Sequence, residues 1–152
     1  MSYRIAPVNN ILILLTPEQP SLPKTMPSTP RRPDDVRILV IADTDRVRRA
    51  TAHTLRAAGY RVNSILDGHQ GLRAWALLAP LTDLVIVDLH KPGMTGLDLV
   101  RGLLDVGTFI PILATRPKPP LDLQGIPAYV TWVEAPLTEE TLTRKVRALV
   151  GN

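Results

Sequence analysis

From residue 37 onward, short apolar runs alternate with stretches of helical periodicity. The runs fall at 37–42, 61–66, 83–88, 109–115 and 128–133. Each spans six or seven residues rich in Val, Ile, Leu and Ala, the length and composition of a buried parallel strand. Between them, residues 46–58 place Val47, Ala50, Thr51, Thr54 and Leu55 on one helical face, and Gly59 closes the helix. Residues 69–79 do the same with Leu72, Trp75, Ala76 and Leu78. Residues 96–106 do so with Leu97, Val100, Leu103 and Leu104, and residues 138–150 with Leu142, Val146 and Leu149. Strands alternating with helices predict a parallel sheet covered on both sides, a doubly wound α/β domain over 37–152.

The rhythm breaks once. Residues 116–127 read RPKPPLDLQGIP, with four prolines and a glycine. Proline inside a helix costs ~3 kcal/mol, so the fourth helix is expected to be stunted, at most one turn around Leu121–Gln124. Residues 1–36 differ again. They hold seven of the fifteen prolines and read as an arm, with a proline-rich tether at 17–35 and a short strand at 10–16 that could join a sheet edge in this molecule or a neighbour.

Composition narrows the function classes. There is no cysteine, so disulfides and thiolate metal sites are excluded, and His53, His69 and His90 have no metal-ligand spacing. No run approaches the ~18 apolar residues of a membrane span, and no segment has the form of a signal peptide, so a cytoplasmic location is expected. The net charge of +4 is modest. Arginine outnumbers lysine, but Arg46, Arg48, Arg49 and Arg56 fit a solvated helix face, and nucleic acid is not an expected partner.

Two carboxylates stand where apolar strands end. Asp43 follows Ile38–Ile41, and Asp88 follows Leu84–Val87. A carboxylate there is costly unless it faces a crevice, and the carboxyl ends of parallel strands are where such sheets place their sites. The surrounding spacing supplies a family. DLHKPGMTG, with Asp88, Pro92, Gly93, Met94 and Gly96, resembles the signature of the receiver domain of bacterial response regulators. RILVIADTDRVRRATAHTLRAAGYRV resembles that family's first strand, acidic loop and first helix, and VEAPLTEETLTRKVRAL its fifth strand end and last helix. The resemblance covers about three quarters of the chain and implies the flavodoxin-like receiver fold with a five-stranded parallel sheet.

It also implies roles. Asp88 corresponds to the phosphoacceptor. Asp43, Asp88 and the backbone carbonyl of His90 correspond to the ligands of Mg²⁺, an ion that takes oxygen donors. Thr115 corresponds to the hydroxyl after the fourth strand, with Arg116 competing for that place, and Trp132 to the switch aromatic. Two positions depart from the pattern. Ala42 stands where a second acid is usual, and Ala135 where a lysine is usual. Lys91 and Arg116 are candidate substitute cations, and Asp45 reads as a helix cap rather than a ligand. Loss of a fixed cation at a phosphoryl site removes ~2–4 kcal/mol of charge stabilisation. Weak Mg²⁺ binding and slow phosphoryl acceptance are therefore expected.

The resulting expectation is an atypical, non-enzymatic receiver of the two-component or phosphorelay type that works through protein contacts. Its partners would be a histidine kinase or a downstream target, or a second copy bound through the face of the fourth and fifth helices or through the arm. With nothing after residue 152, no output domain of its own is expected. A phosphorylation-independent docking module is the alternative. A flavin- or nucleotide-binding protein is a remote one, because ADTDRVRR lacks a glycine-rich phosphate loop.

Overall fold

A computed structural model describes residues 31–106, 109–115 and 123–151 in full, and 4–8, 11–15 and Arg116 by their backbone. The arm contains β1 (Arg4–Val8) and β2 (Ile11–Leu15), which pair antiparallel in a two-stranded sheet of their own. Most of the expected tether, and residues 117–122 of the proline-rich connection, lie outside the described residues.

The remaining elements are β3 (Arg37–Ala42), α1 (Asp45–Ala57), β4 (Arg61–Leu66), α2 (Gly68–Leu78), β5 (Leu84–Asp88), α3 (Gly96–Asp105), β6 (Ile112–Arg116), β7 (Val130–Glu134) and α4 (Glu139–Val150). The five strands β3–β7 form a parallel sheet in the order β4-β3-β5-β6-β7. Chain order reverses beside β3, so a crevice opens at the carboxyl ends of β3 and β5. Between β6 and β7 the described residues contain turns at Gln124–Gly125 and Ala128–Tyr129 and no helix.

Side chains alternate across the sheet because successive Cβ atoms in a strand point to opposite faces. Leu39, Ile41, Val85 and Val87 bury one face against Trp75 of α2 and Leu99, Val100 and Leu103 of α3. Ile38, Val40, Leu84 and Ile86 bury the other against Leu55 of α1 and Leu142 and Val146 of α4. Every residue of β5 is buried. At ~1.5–3 kcal/mol per buried large aliphatic side chain, this central strand is a rigid base for whatever stands at its end.

The last residues of the arm are tied to the sheet. Arg31 pairs with Asp83 at 3.0 Å, Pro33–Asp35 form one 3₁₀ turn, and Val36 is fully buried. The other Asp83 oxygen accepts the Arg37 N–H at 2.8 Å. This fixes the start of β3 and explains why β5 begins at Leu84 rather than at 83.

The helix ends correct one assignment. Thr44, not Asp45, caps α1: its side chain accepts the Val47 N–H at 3.4 Å. Asp45 is in the first turn and pairs with Arg48 at 2.5 Å and Arg49 at 2.7 Å. Its exposed carboxyl is held below its usual range chiefly by the hydrogen bond from Arg48. Thr95 makes a full capping box with Asp98 on α3, and Thr138 caps α4.

Candidate functional site

The crevice is built by three strand ends and the loops that follow them. In the parallel register Ala42 lies opposite Asp88, so the chain leaves β3 and β5 at the same height. Asp43, one residue on, is brought beside Asp88. The loop after β5 is then drawn back over β3, because Asp43 Oδ2 accepts the N–H groups of His90 at 2.7 Å and Lys91 at 2.6 Å. Asp43 Oδ1 is buried and has no hydrogen-bond partner among the described residues.

Asp88 is 4% exposed. Its Oδ1 accepts from Thr115 Oγ1 at 3.1 Å, and the His90 imidazole Nε2 meets the same oxygen. Burial pushes the Asp88 carboxyl above its ordinary range, and the nearby Asp43 charge adds to the rise. The His90 imidazole and the Thr115 hydroxyl pull the other way. Thr115 is itself 4% exposed. Its side chain faces the crevice because β6 runs beside β5 with Ala114 level with Val87.

The other candidate positions divide. Ala42 is fully buried in β3. Ala135 follows β7 and lines a cavity of about 300 Å³ together with Val47, Ala50, Thr51, Asp88, His90, Pro136 and Leu137. Lys91 joins the site through its backbone N–H. Its side chain is exposed, makes no ion pair among the described residues, and lines a second cavity of about 310 Å³ with Asp43, Asp67 and Met94. The Arg116 side chain is outside the described residues. Trp132 lies beside Ala114 on β7 and packs against the core. It is half-buried, and its indole N–H is enclosed without an acceptor among the described residues.

The contact that spacing did not reveal is the His90 side chain. The motif assigned this residue a backbone role alone. The loop geometry set by Asp43 turns its imidazole onto the buried carboxylate two residues earlier. A ring-bearing residue two places after a strand-end acid was the available signal, but its direction depends on the loop's path.

Among the described residues no three His, Asp or Glu side chains gather as a metal cluster, and no helix is long and apolar enough to cross a membrane. The crevice does offer oxygen donors to a hard cation: Asp43 Oδ1, unpartnered among the described residues, and the Asp88 carboxylate. An ion such as Mg²⁺ that keeps several waters needs few protein ligands, and the orphaned Asp43 oxygen fits that use.

Many known proteins are similar to this chain. The CseB transcriptional regulatory protein of Streptomyces coelicolor is 28% identical over 122 residues, covering 77% of this chain and 50% of its own length. The chemotaxis protein CheY1 of Helicobacter pylori is 29% identical over 123 residues, covering 76% of this chain and 98% of its own length. The chain thus spans about half the length of CseB and nearly all of CheY1. Among solved structures, the receiver domain of the hybrid histidine kinase CckA superposes with a TM-score of 0.63 at 30% identity, covering 75% of this chain and 98% of that one. Residues 38–117, more than half of the sequence, match the response regulator receiver domain. With its strand order and its strand-end aspartates, the chain belongs to the receiver domain family of response regulators of two-component signalling.

Proposed function

We propose that this receiver accepts a phosphoryl group on Asp88, slowly from small donors, and delivers its output by protein–protein contact rather than by turnover. The observation that carries the reading is the placement of Asp88. It is a buried carboxylate at the end of the central strand, with Asp43 beside it and the Thr115 hydroxyl on Oδ1. In the transfer an Asp88 oxygen attacks phosphorus, the bond from phosphorus to the donor breaks, and the donor leaves with the electron pair. Thr115 is placed to donate to an oxygen of the new phosphoryl group. Receiver domains generally bind Mg²⁺ at this site. Here Asp43, Asp88 and the His90 carbonyl would hold it, and it would neutralise charge on the phosphoryl oxygens.

Slow acceptance follows from Ala42 and Ala135, which remove one outer acid and the fixed cation of the family pattern. The His90 imidazole also occupies Asp88 Oδ1, so it must yield before a phosphoryl group can be placed there. Receiver domains engage histidine kinases, and a similar fold has been solved as a response regulator bound to the kinase ThkA. A kinase presenting phosphohistidine is the donor class that could overcome a weak pocket. The same His90 contact favours one second reading. A receiver whose acceptor is already paired could dock partners without phosphorylation.

The experiment is exposure of the purified protein to beryllofluoride, acetyl phosphate and a phosphorylated kinase with Mg²⁺, followed by intact mass and tryptophan fluorescence. The proposal expects a single phosphoryl adduct and a fluorescence change, both lost in Asp88→Asn. No adduct from any donor would leave the docking reading.

A further inference from the structure

The cavity in front of Ala135 has a chemistry the phosphoryl reading does not use. It is about 300 Å³, at the lower end of the ~300–1,000 Å³ typical of small-molecule pockets. Its walls are largely apolar: Val47 and Ala50 from α1, and Ala135, Pro136 and Leu137 from the turn between β7 and α4. At one side stand Asp88 and His90. Asp88 is the negative charge there, and both of its side-chain contacts, from Thr115 and from His90, fall on Oδ1. Among the described residues nothing donates to the second oxygen, which remains for another donor. Apolar walls leading to a carboxylate select a particular kind of molecule, a short aliphatic stem ending in a compact cation with several N–H donors.

We propose that this cavity is a binding site for a primary ammonium group on an aliphatic stem, with the ammonium on Asp88 and the stem between α1 and the β7–α4 turn. Two sources share that chemistry, a free alkylamine and a lysine side chain presented by another protein. Burial favours the pairing. A carboxylate held at 4% exposure is poorly hydrated, and an added cation offsets that cost more than it would at the surface. An occupied site would also stand a positive charge beside the acceptor, where the end of β7 supplies none. Binding itself requires neither phosphorylation nor metal, so its failure leaves the phosphoryl reading intact.

The test uses the full chain without Mg²⁺ or phosphodonor. Titration with n-butylammonium is followed by NMR shifts of the Val47, Ala50 and Ala135 amides, with n-butanol as the uncharged control. The expected result is saturable binding in the millimolar range for so small a ligand, about tenfold or more tighter than butanol. Asp88→Asn should remove the preference for the amine. Ala135→Lys, which supplies an ammonium from within, should abolish binding, as should Val47→Trp, which fills the cavity from the α1 side. Lysine blocked at both backbone ends separates the sources. Binding comparable to butylammonium identifies a presented lysine side chain, and binding of butylammonium alone identifies a free amine. No saturable shift with either, or equal binding of amine and butanol, overturns the proposal.

Discussion

Ala135→Lys is the most informative single substitution for the phosphoryl pocket. Residue 135 is exposed and shares a cavity of about 300 Å³ with Asp88 and His90, so a lysine there has room to extend toward the carboxylate. Two unit charges ~4 Å apart attract by ~4 kcal/mol at an effective dielectric of ~20. Ordering the lysine side chain costs up to ~2 kcal/mol. Part of the remainder already acts on ionised Asp88 before transfer and does not speed it, because only interactions stronger in the transition state accelerate the step. The expected gain is therefore about tenfold to a hundredfold in phosphorylation rate, within the ~2–4 kcal/mol ceiling of a single preorganised donor. The assay is phosphoprotein formation from acetyl phosphate with saturating Mg²⁺, read by intact mass against time. Asp88→Asn in the Ala135→Lys background should show no product. The cation should also lower the Asp88 pKa, measurable by carboxyl NMR. If that pKa falls, so that the ammonium has demonstrably arrived, and the rate stays at the parent value, the attribution of slow transfer to Ala135 is refuted.

Three further expectations concern stability. Thr115→Val removes the hydroxyl that donates to buried Asp88 Oδ1 and should cost ~1–3 kcal/mol in urea unfolding, whereas Thr115→Ser should be nearly neutral. Because burial raises the Asp88 pKa in the fold, the folded state binds this proton more tightly than the unfolded chain. The associated stability is full below the unfolded carboxylate pKa of ~3.9 and is lost as pH rises through the raised folded value. Asp88→Asn should flatten this fall, so the variant gains on the parent from pH ~4 toward neutrality; parallel pH profiles would contradict the assignment. Gly71→Ala places a Cβ 2.7 Å from Ile41 Cδ1 and 2.9 Å from its Cγ2, inside the core between α2 and β3. It should destabilise by ~1–3 kcal/mol, seen as a lower urea midpoint with an unchanged slope.

The parts of this fold that could be read from sequence are those governed by local period. β3 falls at 37–42 as its apolar run marks it, since a parallel strand buried on both faces leaves an unbroken apolar signature; β4, the edge strand, keeps its bounds at 61–66 although none of its residues is fully buried. Edges went astray where a single side chain overrides composition. β6 starts at Ile112, not 109, because Phe109 is 86% exposed and Pro111 offers no N–H to a ladder. On α3, counting from Leu97 omitted Leu99, which is fully buried. The Thr95 cap sets the helix rotation, and that rotation sends Leu99 and Leu103 inward while Leu97 stays half-buried. Such choices lie in three-dimensional closure and not in spacing.

The site shows the same division. Asp43, Asp88 and Thr115 converge because strand register places them, and register follows from the apolar runs. The His90 imidazole could not be assigned this way, yet it changes how the two departures from the family pattern should be weighed. Ala42 in place of an acid removes a negative charge, and Ala135 in place of a lysine removes a positive one, so together they leave the pocket's formal balance as it was. Either loss alone would not. An acid lost beside a retained lysine would weaken the pull on Mg²⁺, and a lysine lost beside a retained acid would leave three carboxylates crowded without a cation. The pair of alanines is therefore consistent with a retuned pocket. In it Asp88 is satisfied locally on one oxygen, by Thr115 and His90, and a group arriving at Oδ1 must displace that arrangement.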